Sequence, residues 1–419
     1  MLGCRTQVEQ RVDEFSRAIA TNQHQRSQSE ALNDIGILLH EPEVEQMCGL
    51  AYRLVLMKKG TIRTLPSVQL KAAEWVSQIS QLALGTSNYS PLELFAGFLR
   101  VVLRLQNQGE RVVAFDQWGE THYHDTWVTM TSELNDYYVQ YSEQIQSALL
   151  IVLSAINQQY GVRGWLIYDM DRYRKYHESA QQLMVEGVSI DKSYPLDEAL
   201  AFVPRYLTEA LRWCVETPEI HVFVPGRLVN HAFEQCSLPE ELRLLSEIDE
   251  IVGHDYPVLV RIGDRLNKNY RYSTQWRIKG EAYLAECKNG NTSGSRPVFL
   301  RMTPDATLDR QAAQNALGIE LQGLSQTGST DNFVFTLMKK GLPFAIWERG
   351  AIASETATAE IDYLLQQCCL PHLPRTVQEV RCGAAVQRDG EPYQIRDSVS
   401  LLWDDPFLVP PNVWEKPGP

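Results

Sequence analysis

The chain has 419 residues, of which 44% are hydrophobic, so it is long enough to bury a sizeable core and to form two or three domains. Its net charge of -13, from 52 acidic and 39 basic residues, argues against a general affinity for nucleic acid, whose phosphates attract clustered cations. The eight cysteines include no CxxC pair, and the longest apolar stretch falls far short of the ~20 residues that span a bilayer. Arg5 and Thr6 interrupt any apolar leader. Together these features predict a cytoplasmic protein.

Residues 1–159 are predicted to form an all-helical N-terminal region. Ser90-Pro91-Leu92-Glu93 supplies a cap, a first-turn proline and an acid at the third helical position, which predicts a helix over residues 91–105. Helical spacing predicts a second long helix over residues 132–152. Between the two helices, residues 111–127 are aromatic and β-prone, and we expect a hairpin or an irregular insertion there.

Residues 160–419 are predicted to form one α/β domain. Short apolar runs alternate with helical segments such as residues 196–215 and 358–367, which indicates a mainly parallel sheet covered by helices on both faces. The predicted strands are 165–168, 221–224, 257–260, 298–300, 344–347 and 399–403.

The last predicted strand ends on two adjacent carboxylates, Asp404 and Asp405, followed by Pro406. Acids at the end of an apolar run are typical of a buried parallel strand that delivers polar groups to the functional edge of an α/β sheet. Such a pair can hold Mg²⁺. The favoured interpretation is structural: one Asp caps the following turn and the other pairs with an arginine.

A glycine-containing loop, Gly323 to Thr330, follows a β-like run at residues 319–321 and precedes a predicted helix. This is the context of a phosphate-binding loop, but the lysine that contacts the β- and γ-phosphates is missing. We therefore expect a polar loop with Asp331 as a helix cap. A nucleotide-binding or hydrolytic enzyme that uses this loop with Asp404 and Asp405 remains the alternative.

Two further site hypotheses come from histidines. His254 and Cys287 are the residue types of a Cys/His peptidase, but His254 precedes its strand and Cys287 does not end an apolar strand. His122 and His124 would share one face of an extended strand and could share a metal ion, although no third ligand is visible. No catalytic, cofactor-binding or metal-binding residue is predicted.

Surface chemistry favours protein contact. Asp169 and Asp171 end the first predicted strand, either as a charged helix start or as a ligand-facing loop at the carboxyl edge of the sheet. Trp276 lies in a segment that mixes tyrosines with arginines, which suits a protein interface better than base stacking in an acidic chain. Core packing also accounts for part of that pattern.

Several separated motifs resemble a known family. In order, the chain contains YPVLVR at residues 256–261, LPFAIWER at 342–349 and LLWDDP at 401–406. This series resembles the C-terminal domain of the vWA-MoxR associated proteins (VMAP) over roughly residues 160–410. The family commonly has two basic residues after the tryptophan of the second motif, where this chain has Glu348 and then Arg349.

The resemblance implies a non-catalytic adaptor or hub of a bacterial conflict, or antiviral defence, system. Its partners would be a MoxR-type AAA+ ATPase, a von Willebrand A protein and an effector such as a protease. The acidic balance of the chain disfavours nucleic acid, and no membrane association and no cofactor are predicted. Residues 1–159 would correspond to an effector-associated or middle region. The residues predicted to form the functional edge or to contact a partner are Asp169, Asp171, Trp276, Trp347, Arg349, Trp403, Asp404 and Asp405.

Overall fold

A computed structural model describes residues 29–59, 70–82, 88–177, 180–243, 250–288, 299–302, 314, 316–324, 329–350, 354–387 and 390–411. The chain divides into two compact units, Met1–Gln144 and Ile145–Pro419. Over the described residues, no helix is long and apolar enough to cross a membrane.

The first unit is helical, as predicted. Its helices are α1 (described over residues 29–38), α2 (Pro42–Lys58), α3 (Ala72–Ser80), α4 (Pro91–Leu105), α5 (Gly109–Tyr123) and α6 (Asp125–Gln144). Helix α4 is central and contacts α2, α3, α5 and α6. It has the predicted bounds, because Ser90 and Glu93 form the reciprocal capping hydrogen bonds, 3.2 Å from Glu93 N to Ser90 Oγ and 2.6 Å from Ser90 N to Glu93 Oε2.

Two predictions for this part of the chain were wrong. Residues 111–127 lie in α5 and α6 instead of a hairpin, and the buried side chains of Phe115 and Trp118 share one helical face. The predicted helix over 132–152 stops at Gln144, and its second half belongs to strand β1. All residues from Ala148 to Leu153 are buried, and a strand buried on both faces has no alternation that distinguishes it from a buried helix.

Across the residues that the structure describes, the second unit contains a nine-stranded sheet of order β3-β2-β1-β4-β5-β9-β8-β7-β6. The strands are β1 (Ala148–Ile156), β2 (Gln159–Ile167), β3 (Ala180–Leu183), β4 (Glu219–Val224), β5 (Val258–Ile262), β6 (Phe299–Met302), β7 (Gly318–Leu324), β8 (Phe344–Arg349) and β9 (Val399–Trp403). Its helices are α7 (Met170–Tyr176), α8 (Leu196–Leu211), α9 (Val252–Asp255), α10 (Ser273–Lys288), α11 (Ser329–Lys340), α12 (Glu355–Gln367) and α13 (Leu373–Arg381).

The mainly parallel α/β sheet is confirmed. Strands β1, β4, β5 and β9 run in one direction. Strands β6, β7 and β8 are parallel to one another, and β8 is antiparallel to β9. The predicted boundary at 159/160 falls at the start of β2, whereas the structural division lies at 144/145, because β1 pairs with both β2 and β4.

Strand β9 is the last strand of the chain but lies inside the sheet, between β5 and β8. Its side chains are all buried, and Trp403 packs against Tyr283 of α10 and Phe344 of β8, with ring centroids 5.4 and 4.2 Å away. The seam with β5 is loosely paired, since Val260 and Leu402 are its one register pair. We call the edge at which β4, β5 and β9 end the carboxyl edge.

Candidate functional site

Asp404 and Asp405 follow β9 at the carboxyl edge, and both carboxylates are fully buried. Each is compensated by arginine. Oδ1 of Asp404 lies 3.1 Å from Nε of Arg261, and its Oδ2 lies 2.8 Å from Nη1 of Arg265. Oδ2 of Asp405 lies 2.7 Å from Nε of Arg174 in α7. We call these five residues the Asp–Arg network.

Arg261 connects β5 to the segment that follows β9. Besides its bond to Asp404, the guanidinium donates to the backbone oxygens of Asp405 and Leu408. Its central carbon lies 4.3 Å from the ring centroid of Phe223 in the neighbouring strand. A buried guanidinium that meets a carboxylate, two carbonyls and an aromatic face has its donors and its charge satisfied within the protein.

Arg265 and Trp276 hold the other side of Asp404. Arg265 donates from Nη2 to the backbone oxygens of Leu337 and Leu342, at 3.0 and 2.8 Å, and its guanidinium lies 5.2 Å from the Trp276 ring centroid. The indole nitrogen of Trp276 donates to the backbone oxygen of Asp404 at 2.6 Å. The network therefore joins the segment after β5, α10 and the end of α11 to the end of β9.

Asp405 has both of the structural roles expected for this motif, the turn cap and the arginine partner. Its Oδ1 accepts from the backbone N–H of Phe407 at 2.8 Å, which caps the turn after β9, and its Oδ2 pairs with Arg174. Burial by itself raises the pKa of Asp405, but Arg174 and Arg261 outweigh burial and hold the pKa below its ordinary value. Asp405 is therefore ionised at neutral pH.

A second buried polar group lies on β4, whose Glu219 and His221 face the same side of the sheet. Nε2 of His221 is 3.1 Å from Oε2 of Glu219, and Gln146 donates to the other carboxylate oxygen. Burial lowers the pKa of His221 despite the opposing effect of Glu219, so the ring is neutral at neutral pH. Among the described residues, Nδ1 of His221 has no hydrogen-bond partner.

Asp169 and Asp171 lie at the start of α7, the helix that carries Arg174 of the network. Asp169 caps α7 by accepting from the Arg172 N–H at 2.9 Å, and Asp171 is 92% exposed and pairs with Arg174 at 3.0 Å. Strand β2 is antiparallel to β1, so these two acids follow the edge at which β1 and β4 begin. The end of β2 is therefore not at the carboxyl edge, although Arg174 of α7 joins Asp171 to Asp405 of the network. Of the two alternatives, the charged helix start describes Asp169 and Asp171.

The predicted aromatic contacts are interior. Trp276, Trp347 and Trp403 are each at most 5% exposed. Trp347 donates to Asn230 Oδ1 at 2.9 Å, on the opposite face of β8 from the Phe344 and Trp403 cluster. Arg349 bonds the Ser400 hydroxyl and the buried carboxylate of Glu234. These side chains do not form a surface in this structure, and their contact with a partner stays a prediction.

The strand that leads into the Gly323 to Thr330 loop ends at the opposite edge of the sheet from Asp404. Residues 325–328 lie outside the described residues, but β7 ends at Leu324, opposite Arg349 at the end of β8. Glu348 in turn pairs with Val399, the first residue of β9, whereas Asp404 follows its last residue. At ~3.3 Å per residue, the length of β9 separates the end of β7 from Asp404 by roughly 15 Å.

The remaining site hypotheses find no support. His254 lies in the short helix α9, and the side chain of Cys287 is outside the described part of α10. His122 and His124 fall at the end of α5 instead of on a strand, and Nε2 of His122 lies 3.0 Å from Asp34 Oδ2. In the described part of the chain, no group of three or more His, Cys, Asp or Glu side chains could hold a metal ion.

Sequence reasoning missed the basic half of the network, namely Arg174, Arg261 and Arg265. It also missed Arg381 of α13, which donates to the backbone oxygens of Val258 and Val399 at 3.0 and 3.1 Å and so bridges the starts of β5 and β9. One signal was present: Arg261 interrupts an apolar run, and a charged residue in a buried strand needs a buried partner.

Together, the fold and the network define a class of protein: an α/β domain with a mainly parallel sheet whose carboxyl-edge acids are held by arginines in the interior. The model of one family, described as the vWA-MoxR associated protein C-terminal domain (VMAP-C), matches residues 158–406. The chain belongs to this family, as its motifs predicted. Searches of the curated proteins and of the solved structures found no match.

Proposed function

We propose that this protein is a non-catalytic adaptor of a bacterial conflict system. In this proposal the α/β domain contacts a MoxR-type AAA+ ATPase or a von Willebrand A protein, and the helical unit docks an effector. The observation that carries the proposal is the family match over residues 158–406, because the family is described by its association with von Willebrand A and MoxR proteins.

The division of the chain supports two separate contacts. The matched residues begin at 158, whereas the helical unit Met1–Gln144 ends before them. A module outside the family domain is suited to carry a different binding partner, since each unit buries its own core.

The chemistry of the carboxyl edge supports binding over catalysis. Asp404 and Asp405 are the acids that a catalytic or magnesium site at this edge would use, and arginines and backbone groups already occupy their oxygens. A general acid or base instead needs a titratable group within reach of a substrate, with a pKa near the working pH.

Co-purification tests the adaptor proposal. The full chain is expressed with a MoxR-type ATPase and a von Willebrand A protein encoded beside its gene, in the absence of nucleotide, with ATP and with ADP. A MoxR-type ATPase from an unrelated locus of the same genome serves as the control. We expect capture of at least one neighbour but not of the control, and failure to capture either neighbour in all three nucleotide conditions would contradict the proposal.

Calorimetry with ATP or GTP and Mg²⁺ tests the enzyme alternative directly. We expect no binding. Tight binding that is lost in Asp405→Asn, in a variant shown by circular dichroism to be folded, would overturn the non-catalytic assignment.

A further inference from the structure

Five basic side chains lie on segments that meet at the carboxyl edge. Lys268 and Arg271 lie in the loop after β5, Arg277 lies in the first half of α10, and Lys339 and Lys340 lie in the last turn of α11. All are exposed except Lys340, which is half-buried. We call them the basic surface. Within the described residues, none of the five forms an ion pair with a carboxylate, although acids outnumber bases in the chain by 52 to 39.

The three segments that carry the cations are packed against one another. Tyr270 Oη donates to the Met338 backbone oxygen at 2.7 Å, which joins the loop to α11. A Cβ added to Gly341 would lie 2.7 Å from the Trp276 backbone nitrogen, so the end of α11 directly abuts α10. Arg265, buried beneath the loop, bonds the carbonyls at the end of α11 and anchors the loop to the Asp–Arg network.

Two large apolar side chains lie on the same helices as these cations. Phe335 and Ile278 are 59% and 58% exposed, and the Lys339 ammonium lies 5.6 Å from the Phe335 ring centroid. The exposed carboxylates of the loop and of the two helices, among the described side chains, are Asp264, Glu281 and Asp331, and Asp264 accepts from the Gly226 N–H at 2.8 Å. The surface is therefore locally positive and partly apolar within an acidic protein.

We infer that the basic surface binds an acidic, partly apolar segment of a partner protein. This inference rests on the proposed adaptor function and names the contact face of the α/β domain. Unpaired cations beside exposed apolar side chains complement a segment in which Asp or Glu alternate with Leu or Phe. Nucleic acid fits less well, because a polyanion that extends past the basic surface meets the remaining surface of a chain whose net charge is -13.

A labelled synthetic peptide of alternating Glu, Asp, Leu and Phe tests the inference by fluorescence anisotropy on the full chain. We expect binding that weakens with added salt, and a Kd about tenfold higher for Arg271→Glu/Lys339→Glu. The matched control, Lys175→Glu/Lys192→Glu, changes the net charge equally at two exposed cations outside the basic surface, and should bind like the wild type. Arg271→Gln/Lys339→Gln should give a smaller loss if charge is the cause.

Three outcomes would overturn the inference. The first is equal binding by the wild type and the Arg271→Glu/Lys339→Glu variant when circular dichroism shows that both are folded. The second is tighter binding of a single-stranded oligonucleotide than of the peptide, which assigns the surface to nucleic acid. The third is a concentration-dependent dimer that this variant abolishes, which assigns the surface to a second copy of the chain.

The same variant separates this inference from the adaptor proposal. If the wild type captures a neighbouring ATPase or von Willebrand A protein and the variant captures it equally well, the inference about the basic surface is wrong and the adaptor proposal stands. If the wild type captures neither, the adaptor proposal fails, while peptide binding still reports on the surface itself.

Discussion

Arg261 and Asp404 are 143 residues apart in sequence, yet they form a fully buried ion pair of 3.1 Å across the seam between β5 and β9. The seam contains one register pair, so its two strands share few backbone hydrogen bonds. Side-chain hydrogen bonds and ion pairs connect the two strands instead. Arg381 bridges the starts of β5 and β9, and Arg261 and Arg265 bind Asp404 after the end of β9. The Asp-Asp pair at the end of β9 therefore holds the sheet together.

Asp404→Ala is expected to lower the free energy of unfolding of the α/β unit by about 3–5 kcal/mol, because it leaves a buried arginine charge without its partner. Asp191→Ala is the control, since that carboxylate is exposed in the turn between β3 and α8 and does not belong to the network. Denaturant unfolding followed by circular dichroism, with a separate transition for each unit, measures both. Similar losses in the two variants would contradict a structural role for the network.

Arg381→Met is expected to cost about 2–4 kcal/mol in the free energy of unfolding, because two carbonyls of the seam lose their donors in the interior. Burial lowers the pKa of Arg381 to about 10, so the group is still charged at neutral pH. Arg375→Met on the same helix is the matched control, since that side chain is 78% exposed. Equally small losses of unfolding free energy in the two variants would show that the hydrogen bonds of Arg381 do not stabilise the seam.

Gly280→Ala tests the packing of α10 against the turn after β9. The added Cβ would lie 2.2 Å from Cγ of Pro406, so we expect a loss of about 1–3 kcal/mol even though alanine favours the helix. Gly36→Ala, in α1, meets no atom within 4 Å and should stabilise its unit by up to about 1 kcal/mol. Thermal unfolding of the two variants should therefore shift in opposite directions, and a stabilised Gly280→Ala protein would refute this packing.

His221 is expected to make the folded state acid-sensitive. Its pKa is lowered below the ordinary 6.5, mainly by burial. As the pH falls, His221 therefore binds a proton in the unfolded chain before it does so in the folded chain. The free energy of unfolding should therefore fall as the pH drops below about 6.5, by at most ~1.4 kcal/mol per pH unit for one proton. The charged groups that act on the ring are Glu219, Arg261 and Asp405.

His221→Gln keeps a donor for Glu219 but cannot titrate. The measurement is the difference between the pH profiles of the wild type and this variant, from denaturant unfolding between pH 5 and 8. We expect the two profiles to converge toward low pH, as the wild type loses stability and the variant does not. Parallel profiles over this range would show that His221 does not titrate differently on folding.

The sequence predicted those structural features whose determinants lie within a few residues of one another. The start of helix α4 was predicted to the residue because its cap, its proline and its N3 acid lie within four consecutive positions. Six strands were recognised from short apolar runs, and a turn cap was expected from one of the two adjacent acids, a role that Asp405 has because its partner is two residues away. Strand β1 was missed, because a strand buried on both faces carries the same apolar run as a buried helix.

The amino-acid sequence by itself determined the helical and α/β halves, most of the strands and the family. Only the tertiary structure decided which edge each acid reaches and which cation meets it. Strand direction is the physical reason: β8 runs against β9, so the end of β7 and the end of β9 lie at opposite edges. The partners of Asp404 and Asp405 come from β5, the loop after it and α7, and folding alone brings such distant charges within hydrogen-bond reach.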